Sequence, residues 1–375
     1  MAPKGPRLER EVAEERRAPF DLEGVSWEGL QSLITGQESF ARFAPEGVYA
    51  LDPRDNGASV YNERRARRPQ DYGESRADSA ATAGSGKPAP TPPCPICSGK
   101  TTPIIDVAEL DHGFTFINTN LYPVVAPAPA PNASGPPGPE GTSGRALGAH
   151  FLQWTSSHHE VDWPELSSRE RGIVLARLAR LEEKLLNLDG FPDGPEGRFV
   201  SAIKNVGRSV GGSLTHGHQQ ITLANVMPRR IRENAAFLEA HGKPFSRYLK
   251  ETNPLELEVA SLDEGVLLVP YFMRRPYDMQ FLLADTGPRH LHQLSEKQLR
   301  GLGDALALGM RLMRSILLSL EREIAYNVLV HTGPGAGIYL EFLPWTQENG
   351  GYEQLGLSAC QSLPMEAARL LREAL

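Results

Sequence analysis

The chain of 375 residues holds three cysteines, no apolar run approaching eighteen residues and no excess of basic side chains. Three cysteines, two of them in a single CxxC, cannot build a disulfide framework, which points to the cytoplasm. Without a long apolar run there is no candidate membrane-spanning helix. The charged opening MAPKGPRLEREVAEERR, with no apolar stretch behind it, does not read as a secretory signal. With 39 basic against 46 acidic residues the net charge is −7, which argues against a mainly electrostatic nucleic-acid binder. It leaves room for a local basic pocket that takes a phosphorylated metabolite. Histidine is also sparse, at ten residues.

What is present suffices for real cores: 40% hydrophobic residues over a length that suits two modest domains or one large one. Residues 1–59 read as a charged N-terminal extension with one amphipathic helix around Trp27 to Phe43. Two stretches, 73–93 and 126–144, are small, polar and proline-rich and are expected to be disordered linkers. Between and after them FTFINTNLYPVV (114–125) and ALGAHFLQWT (146–155) read as strands. A helix over 167–188 follows, with Val174, Leu178, Leu181, Leu185 and Leu188 on one stripe. RFVSAIKNVG is then a strand. The second part repeats this order: two strands within 266–283, a helix over roughly 295–323, and the strands IAYNVLVHTG and GIYLEFLPW. Its stripe of Leu299, Leu302, Leu306, Met310, Met313, Leu317 and Leu320 belongs to the core.

Two short segments carry chemistry. In SLTHGHQQI, residues 213–221, an extended backbone would turn His216, His218 and Gln220 to the same side. Such a row makes a poor core and a workable place for an anion or a metal; the plain alternative is a polar turn. CPIC, residues 94–97, has the spacing of a redox pair. It follows a proline-rich linker and opens no helix, and so lacks the setting that lowers a redox thiol's pKa. Its other reading is half of a tetrahedral zinc site. His216 and one of the pair His158–His159 are then the available completers. Cys360, alone near the C-terminus, is structural.

Several pieces together resemble the galactose-1-phosphate uridylyltransferase family of the histidine-triad superfamily. His216-Gly217-His218-Gln219-Gln220 matches the family's HPHGQ at both histidines and the last glutamine, but not at the proline. Asn205, Gly207, Gly211 and Ser213 match the pattern upstream of it. RRARRP at 64–69 resembles the N-terminal arginine segment, with Arg65 and Arg68 at its nucleotide-sugar contacts; its plain reading is a solvated basic run. CPICSGK matches the zinc half-site and NLYP the nucleotide-contacting Asn120-x-Tyr122. VPYFMRRPYD and YNVLVH match later strands, and GGYEQLG keeps the tyrosine and glutamate, Tyr352 and Glu353, of a substrate-contacting segment. Where some members carry a His-x-His for a second metal, this chain has Tyr339-Leu340-Glu341, so one metal is expected.

The resemblance implies an α+β fold of two histidine-triad-like halves, residues 60–227 and 228–375. Each would be a mainly antiparallel sheet flanked by helices, and the protein a homodimer. It implies one structural Zn2+ on Cys94, Cys97, His216 and His159, with His158 as the alternative to His159. It also implies that His218 attacks the α-phosphorus of a nucleotide sugar and becomes nucleotidylated. Gln220, Ser213 and the Gly211–Gly212 amides would stabilise the developing charge. Arg65, Arg68, Asn120, Tyr122, Asn205, Tyr352 and Glu353 would hold the substrate. An amide at Gln220 donates a hydrogen bond but no proton, which suits a sugar phosphate leaving group and favours transfer or phosphorolysis over hydrolysis. The leading activity is exchange of a nucleoside monophosphate, UMP first, between a nucleotide sugar and a sugar 1-phosphate. Phosphorolysis of a nucleotide sugar or dinucleotide by orthophosphate, and a non-catalytic nucleotide-sugar binder, are the alternatives.

Overall fold

The computed structural model describes residues 5–67 and 93–375. The expected linker at 73–93 lies, but for its last residue, outside the described residues, as does Arg68. The strands in chain order are β1 (Val48–Leu51), β2 (Ala58–Tyr61), β3 (Ile104–Glu109), β4 (Phe114–Thr119), β5 (Ser143–Arg145), β6 (Gly148–Trp154), β7 (Phe199–Val206), β8 (His218–Ala224), β9 (Glu258–Leu262), β10 (Gly265–Leu268), β11 (Met279–Leu283), β12 (Tyr326–His331) and β13 (Tyr339–Pro344).

Among the described residues, ten of these form one sheet in the order β3-β4-β6-β8-β7-β12-β13-β11-β10-β9, and β2-β1-β5 form a small one. Every ladder is antiparallel. The large sheet has the same strand order on either side of its β7–β12 seam. In each part the first, second, third, fifth and fourth strands follow one another. The fold is α+β, as the resemblance implied.

The two long helices expected from their stripes are present: Ser168–Leu186 and Glu296–Ser319. Each starts with a capping box, Ser167 with Glu170 and Ser295 with Gln298, which satisfies orphan amides of the first turn. They cover one face of the large sheet and pack on each other. At the crossing, a Cβ on Gly303 would lie 2.7 Å from the Cβ of Arg171, so only glycine permits this approach. Alternation then assigns the faces. Ile221 and Leu223 of β8 and Phe151 of β6 join the core under the helices. His218 and Gln220 of β8 and Leu152 and Trp154 of β6 turn to the other face.

Two expectations need correction. The helix read over Trp27 to Phe43 is two, Trp27–Thr35 and Phe40–Phe43, interrupted after Gly36. The charged N-terminal extension packs on the fold, with Leu8, Ala13, Leu22 and Leu30 buried. Residues 126–144, read as a disordered insertion, run as a loop fastened to the fold. Ala126 and Ala130 are buried, Ala130 N donates to Pro45 O at 2.8 Å, and the loop leads into β5. Its composition resembles a linker, but Ala126, Pro127 and Ala130 are buried at its start, while residues 131–141 are mostly exposed.

The strand read over 114–125 ends at Thr119. Strands β3 and β9 went unread because they are the outer strands of the sheet, where polar residues interrupt the apolar pattern.

Candidate active site and metal centre

The segment between β7 and β8 decides the site. β8 begins at His218, and His216 sits in the bend before it. The common direction expected for His216, His218 and Gln220 therefore holds only for the last two, since alternation applies within the strand and not before it. His216 points the other way, toward the cysteines.

Its Nδ1 lies 3.7 Å from Cys94 Sγ and 3.6 Å from Cys97 Sγ. Its Nε2 is 2.9 Å from the carbonyl oxygen of Ser156. A carbonyl only accepts, so Nε2 carries the proton and Nδ1 presents its lone pair to the thiols. His159 also turns Nδ1 to the thiols, 3.8 Å from Cys97 Sγ, while its Nε2 lies 3.2 Å from Thr215 Oγ1, a hydroxyl that can donate or accept. The donor atoms of Cys94, Cys97, His159 and His216 all lie within 4.8 Å of one another, a cluster that could bind a metal ion.

Burial pushes both thiols up. Beside His159 and His216 the Cys94 thiol is nonetheless drawn down, while Cys97 is pushed further up by the charge on Cys94. His158 is outside the cluster. It is buried, and its Nδ1 has no hydrogen-bond partner among the described residues. The N-terminal segment selects between the two: Leu8 N donates to Ser157 O and His159 N to Pro6 O, which fixes the turn of the chain there.

On the other side of the bend, the face away from the helices opens into a cavity of about 630 Å³ lined by His218, Gln220, Ser213, Asn120 and Tyr122 among others. The Nδ1 of His218 donates to the carbonyl oxygen of His216 at 2.8 Å. Its ring lies against Trp154 at a centroid distance of 4.9 Å. Burial, reinforced by the Lys204 cation, lowers its pKa to about 4, so the imidazole is neutral near pH 7. Trp154 is itself held: Nε1 donates to Asn118 Oδ1, whose Nδ2 donates to Thr101 and Thr102, each at 2.8 Å. Arg16 and Lys100 bring positive charge to the lining.

The remaining candidates divide. Asn120 takes the amide of Tyr122 at 2.9 Å, forming a turn that places the ring in the cavity wall. Arg65 Nη1 donates to Tyr122 O at 2.6 Å, which puts the guanidinium beside that wall. Asn205 lines a second, polar cavity of about 270 Å³ that also reaches His218, and its Oδ1 accepts from Asn327 across the seam at 2.8 Å. Gly211 and Gly212 depart from expectation: their amides donate to Arg208 O and Gly207 O within the turn, at 3.0 and 2.9 Å. The turn spends those donors on itself, and of that stretch Ser213 is the residue that lines the larger cavity.

Tyr352 and Glu353 stand apart from both cavities on a short exposed helix. There the Glu353 carboxylate accepts the amides of Gly350 and Ala359. Sequence reasoning missed Trp154, Asn118, Asn327 and Lys204, whose parts emerge only from strand pairing. Gln219, adjacent to Gln220, faces the helices, where it bonds Gln153 at 2.8 Å and anchors the strand.

No family model matches the chain. It is 22% identical over 342 residues to ADP-glucose phosphorylase of Arabidopsis thaliana, covering 86% of this chain and 91% of that protein. It is 26% identical over 249 residues to galactose-1-phosphate uridylyltransferase of Rattus norvegicus, covering 64% of this chain and 61% of that protein. A solved uridylyltransferase structure superposes with a TM-score of 0.66 at 18% identity, over 87% of this chain and 98% of the other. Taken with the site, these likenesses relate the chain to the galactose-1-phosphate uridylyltransferases and to ADP-glucose phosphorylase, with the fold of a solved uridylyltransferase, and support a nucleotidyltransferase enzyme.

Proposed function

We propose that this enzyme moves a nucleoside monophosphate, with UMP as first candidate, from a nucleotide sugar to a sugar 1-phosphate through a covalent nucleotidyl-His218. One observation carries the reading. With its proton on Nδ1 and held by the His216 carbonyl, His218 has its lone pair on Nε2, beside the cavity. In the first step that lone pair attacks the α-phosphorus. The P–O bond to the sugar phosphate breaks, and its electron pair leaves with that sugar phosphate. The imidazolium formed keeps its Nδ1–H on the His216 carbonyl, which disperses the charge. In the second step a phosphate oxygen of the incoming sugar phosphate attacks the same phosphorus and the P–N bond returns its electrons to Nε2. Gln220 and Ser213 offer donors to the phosphoryl oxygens, each typically worth about 3 kcal/mol in the transition state. Arg65 and Arg68 are assigned to phosphate oxygens, and Asn120, Tyr122 and Asn205 to the nucleotide sugar.

The donor set of Cys94, Cys97, His159 and His216 fits zinc: two thiolates and two imidazoles, clustered and half to fully buried. With four protein ligands a bound ion would have a structural part and would leave no position for an activated water.

The same strand order on either side of the β7–β12 seam supports reading residues 60–227 and 228–375 as two related halves. A homodimer belongs to the same reading, and light scattering tests it. Tyr352 and Glu353, outside both cavities, would then serve the cavity of a second copy.

Phosphorolysis is the second reading, favoured by similarity to ADP-glucose phosphorylase over 342 residues. Incubation with labelled UDP- and ADP-sugars, followed by chase with sugar phosphates or orthophosphate, tests both. Label on the His218 peptide that discharges to sugar 1-phosphates is the result expected. Discharge to orthophosphate alone would replace transfer by phosphorolysis, and absence of label with every donor would remove the covalent mechanism.

A further inference from the structure

A nucleophilic side chain must be held to within about half an ångström of its productive position. Between its two histidines this chain has Gly217 where HPHGQ has proline. Proline locks φ, whereas glycine leaves the backbone its widest freedom. The conformation does not demand the glycine, because Gly217 is not among the residues with positive φ. The demand comes from close approach: a Cβ at 217 would lie 2.6 Å from Cγ and 2.9 Å from Oδ1 of Asp162.

Asp162 is fixed in that place. Its carboxylate receives the Lys204 ammonium at 2.8 and 3.0 Å and the amide of Trp163 at 2.9 Å. Lys204 is 4% exposed, and its ammonium also donates to the carbonyl oxygen of His218 at 3.0 Å. The β7–β8 ladder ends at Ile203–Gln220, two residues short of His218. The ammonium thus grips the His218 backbone beyond the last β7–β8 pair, on the side opposite β6, whose Trp154 pairs with His218.

We infer that Lys204 and Asp162 are positioning residues for His218, clamping the glycine-containing bend that a proline would otherwise stiffen. The inference rests on the reading of His218 as nucleophile. A buried ion pair is a poor device for stability alone, because desolvation offsets its attraction. Here the ammonium does something an apolar pair could not, which is to hold one carbonyl oxygen. His218 is then secured from two sides: its ring by the His216 carbonyl and Trp154, its own carbonyl by Lys204.

The test uses the full-length, metal-loaded enzyme and a labelled nucleotide sugar that charges the wild type. The variants are Lys204→Met with Asp162→Asn, which keeps the volume and removes the charges, and Lys204→Met with Asp162→Gly, which also removes the Asp162 Cβ that would lie 2.9 Å from a Cβ at 217, with and without Gly217→Pro. In the first, the single-turnover rate of adduct formation on His218 should fall roughly 10- to 100-fold, the scale of a small misplacement. Affinity for the nucleotide sugar, metal content and Tm should stay close to wild type. In the second pair, clearing Asp162 makes room for proline, and Gly217→Pro should recover most of the lost rate. Adduct formation at the wild-type rate in the first variant would overturn the inference. So would a loss that tracks metal or Tm and is not recovered by proline, which is the pattern of a merely structural pair. A wild-type enzyme that forms no adduct with any donor would overturn the nucleophile assignment, and this inference with it.

Discussion

The imidazole of His218 donates through Nδ1 to the carbonyl oxygen of His216 at 2.8 Å, while the ring of His216 turns away to Cys94 and Cys97. The residue that completes the cluster of two cysteines and two histidines therefore also sets the tautomer of the residue that faces the cavity. Two histidines one residue apart have different tasks, and their variants should fail in different ways.

His218→Ala should lower turnover by about 10³-fold or more, the range seen when a nucleophile is removed, and leave metal content and Tm nearly unchanged. His216→Ala should lose metal and stability together with rate. Mass spectrometry of quenched wild-type enzyme should find one nucleotide on the peptide that contains His218. A nucleotide on His216 would reverse the two assignments.

Removing the metal should destabilise the fold. Elemental analysis is expected to give one zinc per chain. Cys94→Ser, or prolonged chelation, should lower Tm by about 3–4 °C, corresponding to about 2–3 kcal/mol at this chain length. Zinc-free protein with an unchanged Tm in Cys94→Ser would end the claim of a structural metal.

Gln220 faces the cavity from β8. Gln220→Ala should reduce kcat by about 10²-fold, the usual cost of one lost donor to developing charge. Gln220→His should instead supply a proton donor and let water discharge the intermediate. Comparing release of free nucleotide with transfer to a sugar phosphate measures the diversion, and equal partitioning in variant and wild type would refute it.

A second cluster predicts a pH window for stability. Glu182 is 2% exposed and faces His292 at 3.3 Å and His290 at 3.6 Å, joining the helix Ser168–Leu186 to the loop before Glu296–Ser319. Burial pushes the Glu182 carboxyl up, but the two histidines outweigh it and hold it below the usual range. The Glu182 hydrogen bond raises His292 against the opposing effect of burial. A raised histidine contributes stability that is complete below its unfolded pKa of about 6.5 and is lost as pH rises through the folded value. A depressed carboxylate contributes above about 4.3 and loses that contribution as pH falls through its folded value. The Tm difference between wild type and His292→Gln should thus be greatest between about pH 4.5 and 6.5 and shrink toward pH 8. A difference independent of pH would show that the pair acts by packing alone.

The sequence by itself determined whatever depends on neighbours along the chain. Leucine spacing with Ser-x-x-Glu and Ser-x-x-Gln starts specified the two long helices. Strand alternation placed His218 and Gln220 on one face. CxxC supplied half of the Cys94, Cys97, His159 and His216 cluster because two residues between thiols bring both to one point. Tertiary structure decided what depends on which segments meet. Only the N-terminal segment laid along residues 157–159 selects His159 over His158. Only the bend before β8 turns His216 away from His218. The turn through Gly207–Gly212 consumes the amides that looked available for phosphate. Asp162, Lys204 and Gly217 show no pattern in the chain, since they are 42 and 13 residues apart in sequence order and meet only where the start of β8 passes over the end of β7. Local periodicity reports the face a residue takes on its own element. The partner across that face is set by the packing of the whole sheet.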